Sequence, residues 1–140
     1  MTTRIVICEQ PELGSMIWQQ LIASKLVGII KGYEGDTIWV PHPALVHLEK
    51  GNIWVTARTE DQQWMLQLRV DLAATNLRCQ AEVWPNDEDN PVHFDKIWNA
   101  NNYIAHSTPI DEIEQHMQYM ADKVVMESED VIIQLMAANP

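Results

Sequence analysis

Cysteines, cations and long apolar runs are all scarce in this 140-residue chain. Two cysteines, Cys8 and Cys79, are too few for a disulfide framework. Both lie in apolar, strand-like runs and are expected as buried thiols. Nine Lys and Arg stand against twenty Asp and Glu, a formal charge of -11. That balance disfavours direct nucleic acid binding through phosphates and docking on anionic membrane lipid, and makes a basic protein surface the natural partner. The longest nearly apolar stretch, around Leu21 to Ile30, contains Ser24 and Lys25. It falls short of the ~18–20 residues a membrane span requires. Ile5 to Cys8, after Met1-Thr2-Thr3-Arg4, is too brief for the core of a signal peptide. The expectation is a cytoplasmic protein with no membrane role.

Recognisable catalytic and cofactor patterns are missing as well. There is no GxSxG elbow, HExxH helix, CxxC pair or paired-glutamate motif. Gly28, Gly32 and Gly35 fall in expected strand or hairpin context, without the strand-to-helix turn of a phosphate-binding fingerprint, and are expected as turn or bulge glycines. Asp87-Glu88-Asp89-Asn90 has the acidity of a calcium loop. However, Pro91, Val92 and Trp98 stand where an EF-hand needs an oxygen ligand, its glycine and its last glutamate. His42-x4-His47-x-Glu49 brings three metal-ligand types close in sequence, but a half-exposed strand histidine is the commoner outcome. His93-x-Asp95 and His106 carry only a weak signal. No cofactor or metal is assigned and catalysis is disfavoured. If acid–base chemistry is assembled from distant residues, His47 and Glu82 are the pair to expect.

What is present is a core. An apolar fraction of 46% and six tryptophans between Trp18 and Trp98 give both halves large side chains to bury, and 140 residues suit one domain of roughly 100–200 residues. The pattern predicts a single α+β domain, a mainly antiparallel β-meander with an N-terminal β-α unit and C-terminal helices packed on one face. Arg4 to Cys8 reads as a strand. Pro11-Glu12 opens a helix with Leu13, Ile17 and Leu21 along one face, ending near Lys25. Turn residues then recur every eight to twelve positions, predicting strands over 26–33, 37–41, 44–49, 52–59, 63–71 and 77–84. Residues 85–91 read as an exposed loop, and 95–104 as a helix carrying Ile97, Trp98 and Ala100. Thr108 as N-cap, Pro109 at the first helical position and Asp111 start a further helix whose apolar stripe is Ile110, Ile113, Met117, Met120 or Ala121, and Val124. Glu127-Ser128-Glu129-Asp130 interrupts it. A last helix, capped by Ser128, carries Val131, Ile132, Leu135 and Met136.

The meander can be put in register. Two-residue loops at Lys50-Gly51 and Glu60-Asp61, with a four-residue loop over Ala73 to Asn76, bring all the apolar faces of 44–84 to one side of the sheet. On the other side this predicts a row of His47, Trp54, Gln67 and Glu82, a row of Leu45, Thr56, Met65 and Trp84, and Asp71 opposite Arg78. Trp54, Met65, Trp84 and Leu45 make that side too apolar to leave in water, and the simplest cover is one of the protein's own helices. Otherwise it is a dimer, partner or ligand face edged by Arg58, Arg69 and His47.

Charge is distributed unevenly. Residues 1–70 hold six basic and seven acidic side chains, whereas residues 71–140 hold three and thirteen. Asp87, Glu88, Asp89, Asp111, Glu112, Glu114, Asp122, Glu127, Glu129 and Asp130 are the candidate partner-binding carboxylates. Acids near helix starts also complement the helix dipole and aid solubility, which is the bland account of the same residues. The function expected is a non-catalytic binding protein of inhibitor, immunity, antirestriction or adaptor type that occupies a basic surface of its partner. One alternative is a small-ligand binder or enzyme with a cavity between sheet and helix, using His47, Trp54, Arg69 and Glu82. Another is a structural assembly subunit, and the composition leaves room for a homodimer.

Overall fold

The computed structural model describes residues 11–86 and 95–138, with the side chains of 41–45 left aside. Helix α1 (Met16–Lys31) precedes an antiparallel sheet in the order β1-β2-β3-β4-β5, and helix α2 (Ile110–Ala138) closes the chain. The strands are β1 (Trp39–Glu49), β2 (Asn52–Thr59), β3 (Trp64–Leu72), β4 (Asn76–Pro85) and β5 (Trp98–Ala105). An α+β fold built on a β-meander is the architecture expected from the sequence. The expected strand 4–8, Cys8 and the acids 87–89 lie outside the described residues.

Strand pairing explains why one face of the sheet is apolar. Ile53, Val55, Leu66, Leu68, Val70, Leu77, Cys79, Ala81 and Val83 are all fully buried and form one cluster with the inner faces of both helices. Removing a side chain of this size from water contributes about 1.5–3 kcal/mol. Lys50-Gly51 is the two-residue hairpin loop expected. Both residues have positive φ, 51° and 84°, as a type I′ turn requires. A Cβ on Gly51 would stand 3.0 Å from Leu72 Cβ, so the position also needs glycine for space. Asp71 faces Arg78 and Gln67 faces Glu82, so β3 and β4 pair as expected.

The β2–β3 pairing departs by two residues. Its loop is 60–63, not Glu60-Asp61, so Trp54 faces Arg69 and Thr56 faces Gln67. Asp61 causes this: its carboxylate accepts from Thr59 Oγ1 at 2.5 Å and from Gln63 N at 3.1 Å, and Gln62 takes the left-handed conformation. An even slip keeps every side chain on its own face, so the apolar side survived while the cross-strand rows changed. The two strands expected over 37–49 are one, β1, with an irregularity between Val40 and Leu45. Pro41 and Pro43 have no N–H to give a ladder there.

Three helix assignments are corrected. Gly14, at φ 79°, and Ser15, whose hydroxyl accepts from Trp18 N, start α1 at Met16, after the Pro11-Glu12 expected. The helix then runs to Lys31, through most of the expected strand 26–33, with Gly32 as its C-cap. Its buried face is Trp18, Ile22, Leu26, Ile29 and Ile30, spaced by three and four, while Ile17 and Leu21 are exposed. β-Branched residues suggested a strand, but packing on the sheet overrides that weak preference. Gly28 accordingly lies inside α1; Gly35, at φ 84°, is a turn glycine as expected.

Residues 98–105 form β5, not a helix: Trp98, Ala100 and Ile104 pack inward, alternating with exposed Asn99, Asn101 and Tyr103. At the other end, α2 is unbroken across 127–130. Ser128 is no N-cap; its buried hydroxyl donates to the carbonyl of Val124 at 2.6 Å, satisfying itself within the helix. Thr108 Oγ1 donates backward to the Ala105 carbonyl at 2.7 Å, and the first helical residue is Ile110. The expected inner stripe, Ile110 to Val124, is buried throughout.

Candidate functional site

Two surfaces gather the candidate residues. The first is the outer face of the sheet, opposite the helices. Both described helices lie on the apolar face, so neither provides the expected cover; Trp54, Met65 and Trp84 are partly exposed among neighbours on the sheet itself. The register aligns His47, Trp54, Arg69, Gln80 and Asn101 across five strands. His47 stacks on Trp54 with ring centroids 4.6 Å apart and planes 13° from parallel, and the Arg69 guanidinium carbon stands 5.0 Å from the Trp54 centroid.

Charge on this face is largely matched internally. Asp71 accepts from Arg69 Nε at 2.8 Å and lies 3.5 Å from Arg78. Arg78 donates to Gln80, Gln80 to Glu82 at 3.1 Å, and Asn99 to the same Glu82 oxygen at 2.7 Å. All three described arginines, Arg58, Arg69 and Arg78, project here, and two of them are held by Asp71. His47, Trp54 and Arg69 are therefore brought together. Glu82 sits in the neighbouring row on β4, three strand intervals or about 14 Å from His47, so these two cannot act as an acid–base pair. His47 and Glu49 share the outer side of β1, both exposed. Among the described residues no group of three His, Cys, Asp or Glu could hold a metal.

The second surface is α2. Glu112, Glu127 and Asp130 are exposed without an ion-pair partner among the described residues. Other acids are engaged. Lys25 of α1 lies 3.6 Å from Asp111 and 3.5 Å from Glu114. Asp122 accepts from Tyr33 Oη at 2.6 Å and from Gln118 Nε2 at 2.9 Å. Burial, followed by the Asp122 carboxylate it donates to, pushes the Tyr33 phenol well above its ordinary range, so it stays protonated and joins α1 to α2. Glu129 is partly exposed. The ten acids thus divide: three on the free side of α2, one beside them, three tied to α1, and three outside the described residues.

The remaining chemistry-bearing groups are structural. His106 Nε2 lies 2.7 Å and 2.9 Å from the Ala73 and Asn76 carbonyls, so that nitrogen carries the proton and pins the β3–β4 turn. Cys79 is fully buried on β4; burial, and next the charge of Asp71, push its thiol up to about 12. Among the described residues no helix is long and apolar enough to cross a membrane. The sequence reading missed Tyr119, Met126 and Ile133, exposed along α2. Their spacing of seven was the signal, masked by the supposed break at 127–130. Compared with protein families, curated proteins and solved structures, the chain matches none.

Proposed function

We propose that this chain is a small acidic binding protein, of inhibitor or adaptor type, that occupies a basic surface of a partner protein through α2. One observation supports it above others: Glu112, Glu127 and Asp130 are exposed and unpaired among the described residues, and fall within about 60° of one another around a continuous helix. A rigid helix holds these carboxylates at set spacing without ordering them at the moment of binding, which lowers the entropic cost of association. Their field raises the encounter rate with a cationic surface and weakens with salt over a Debye length of about 8 Å. Asp87, Glu88 and Asp89 belong to the proposal on sequence grounds alone. An unpaired, buried Cys79 suits a reducing compartment such as the cytoplasm.

The test is a triple charge reversal, Glu112→Lys, Glu127→Lys and Asp130→Lys, chosen because these acids make no ion pair among the described residues. Wild-type and reversed chains serve as baits for capture from a cell lysate at low and high salt. Proteins held by the wild type at low salt, released by high salt and not held by the reversed chain are expected. Identical capture by both baits would refute the role.

A further inference from the structure

Resting on the function proposed above, we infer that the outer face of α2 docks a basic amphipathic helix of the partner. Tyr119, Met126 and Ile133 are 69%, 74% and 45% exposed, so large apolar side chains stand in water at i, i+7 and i+14 of one helix. At 1.5 Å per residue this stripe runs about 21 Å, the length of a partner helix of some 15 residues. A seven-residue repeat is the one that a second helix, crossing at about 20°, follows without drifting off the seam. The stripe is interrupted by polar positions, so it is narrower than a core face, and it adjoins no other element that would bury it among the described residues.

Charge selects the occupant. Positions three and four residues on from a stripe residue flank it on either side. Asp122 and Glu129 follow Tyr119 and Met126 by three; Lys123 and Asp130 follow them by four. Asp122 is held by Tyr33 and Gln118, so Glu129 and Asp130 are the carboxylates that border the seam, against the Lys123 ammonium, and they match Lys and Arg at the flanking positions of a partner helix. A second copy of this chain, in contrast, would set these carboxylates against carboxylates.

Two 21-residue synthetic peptides test this. One has Leu every seventh residue on its apolar face, flanked by Lys and Arg; the other is its scramble, with equal charge and no apolar face. Anisotropy of the labelled peptides, at physiological salt, reads binding to the full chain. The ordered peptide is expected to bind at least tenfold more tightly than the scramble. Tyr119→Gln with Met126→Gln, both exposed and helix-compatible, should erase that difference and leave the melting temperature and scramble affinity unchanged. Equal binding of both peptides to the wild type would overturn the helix-docking inference while leaving charge-driven association standing. Binding of neither would overturn both. A preference that survives the double substitution, or a free chain that is dimeric until Tyr119 and Met126 are replaced, would show that the occupant or the seam is different.

Discussion

Ionisation of Cys79 offers a direct reading of how dry the sheet–helix interface is. The thiol is fully buried in the middle of β4, and its value is pushed up to about 12 from an ordinary 9.0. Since the folded chain holds this proton more tightly, the stabilising contribution is complete below about pH 9 and is lost as pH rises from there through about 12. The slope is about 1.4 kcal/mol per pH unit, so roughly 2 kcal/mol disappears between about pH 8 and pH 10.5. Urea unfolding, followed by tryptophan fluorescence, would compare Cys79 with Cys79→Ala, both in a Cys8→Ser background. Every other titratable group is common to both proteins and cancels in the difference. Truncating the side chain adds a pH-independent offset of about 1 kcal/mol. The advantage of Cys79 over Cys79→Ala should therefore shrink by about 2 kcal/mol across that range. A gap constant to within roughly 0.5 kcal/mol would mean that the thiolate forms as readily folded as unfolded, and would refute the burial of this strand.

Glu129→Pro separates a continuous α2 from a break at 127–130: mid-helix proline should cost about 3 kcal/mol or more in chemical denaturation, whereas after an N-cap at Ser128 it would be tolerated. In the β1–β2 turn, Lys50→Asn should raise stability by about 0.5–1 kcal/mol by easing a positive φ, and Gly51→Ala should lower it by more than about 1 kcal/mol; changes of the same sign would contradict the type I′ geometry. Asp71→Ala should cost about 1.5 kcal/mol, the lower end for a charged hydrogen bond, because its arginine partners are partly solvated. Double-mutant cycles should couple Asp71 more strongly to Arg69, at 2.8 Å, than to Arg78, at 3.5 Å. Equal couplings would contradict that geometry.

The alternation of apolar and polar residues by itself determined the part of the meander from β2 to β4, the buried side of those strands, the β1–β2 turn and the Asp71–Arg78 pairing. A period of two assigns every side chain to a face, and two short loops leave little choice of register. The stripe from Ile110 to Val124 determined the first half of α2 in the same way. Local pattern could not decide where propensity and packing disagree. Leu26 to Ile30 holds the β-branched Val27, Ile29 and Ile30 and is still helical because Trp18, Ile22 and Leu26 need one continuous face against the sheet. Trp98 to Ala105 is a strand because β4 offers an edge whose backbone groups require partners.

Of the candidate surfaces, the sequence placed His47, Trp54 and Arg69 on one side of the sheet but not in one row. That row was set by the Asp61 side chain, which chose a four-residue loop. Composition and spacing located the acids of α2. Which of them stay free depended on Lys25 and Tyr33, brought to Asp111, Glu114 and Asp122 by the packing of α1 against α2. Only tertiary contact decided that, because an acid's availability is a property of what comes to lie beside it, and those neighbours are some 80 to 90 residues away in the chain.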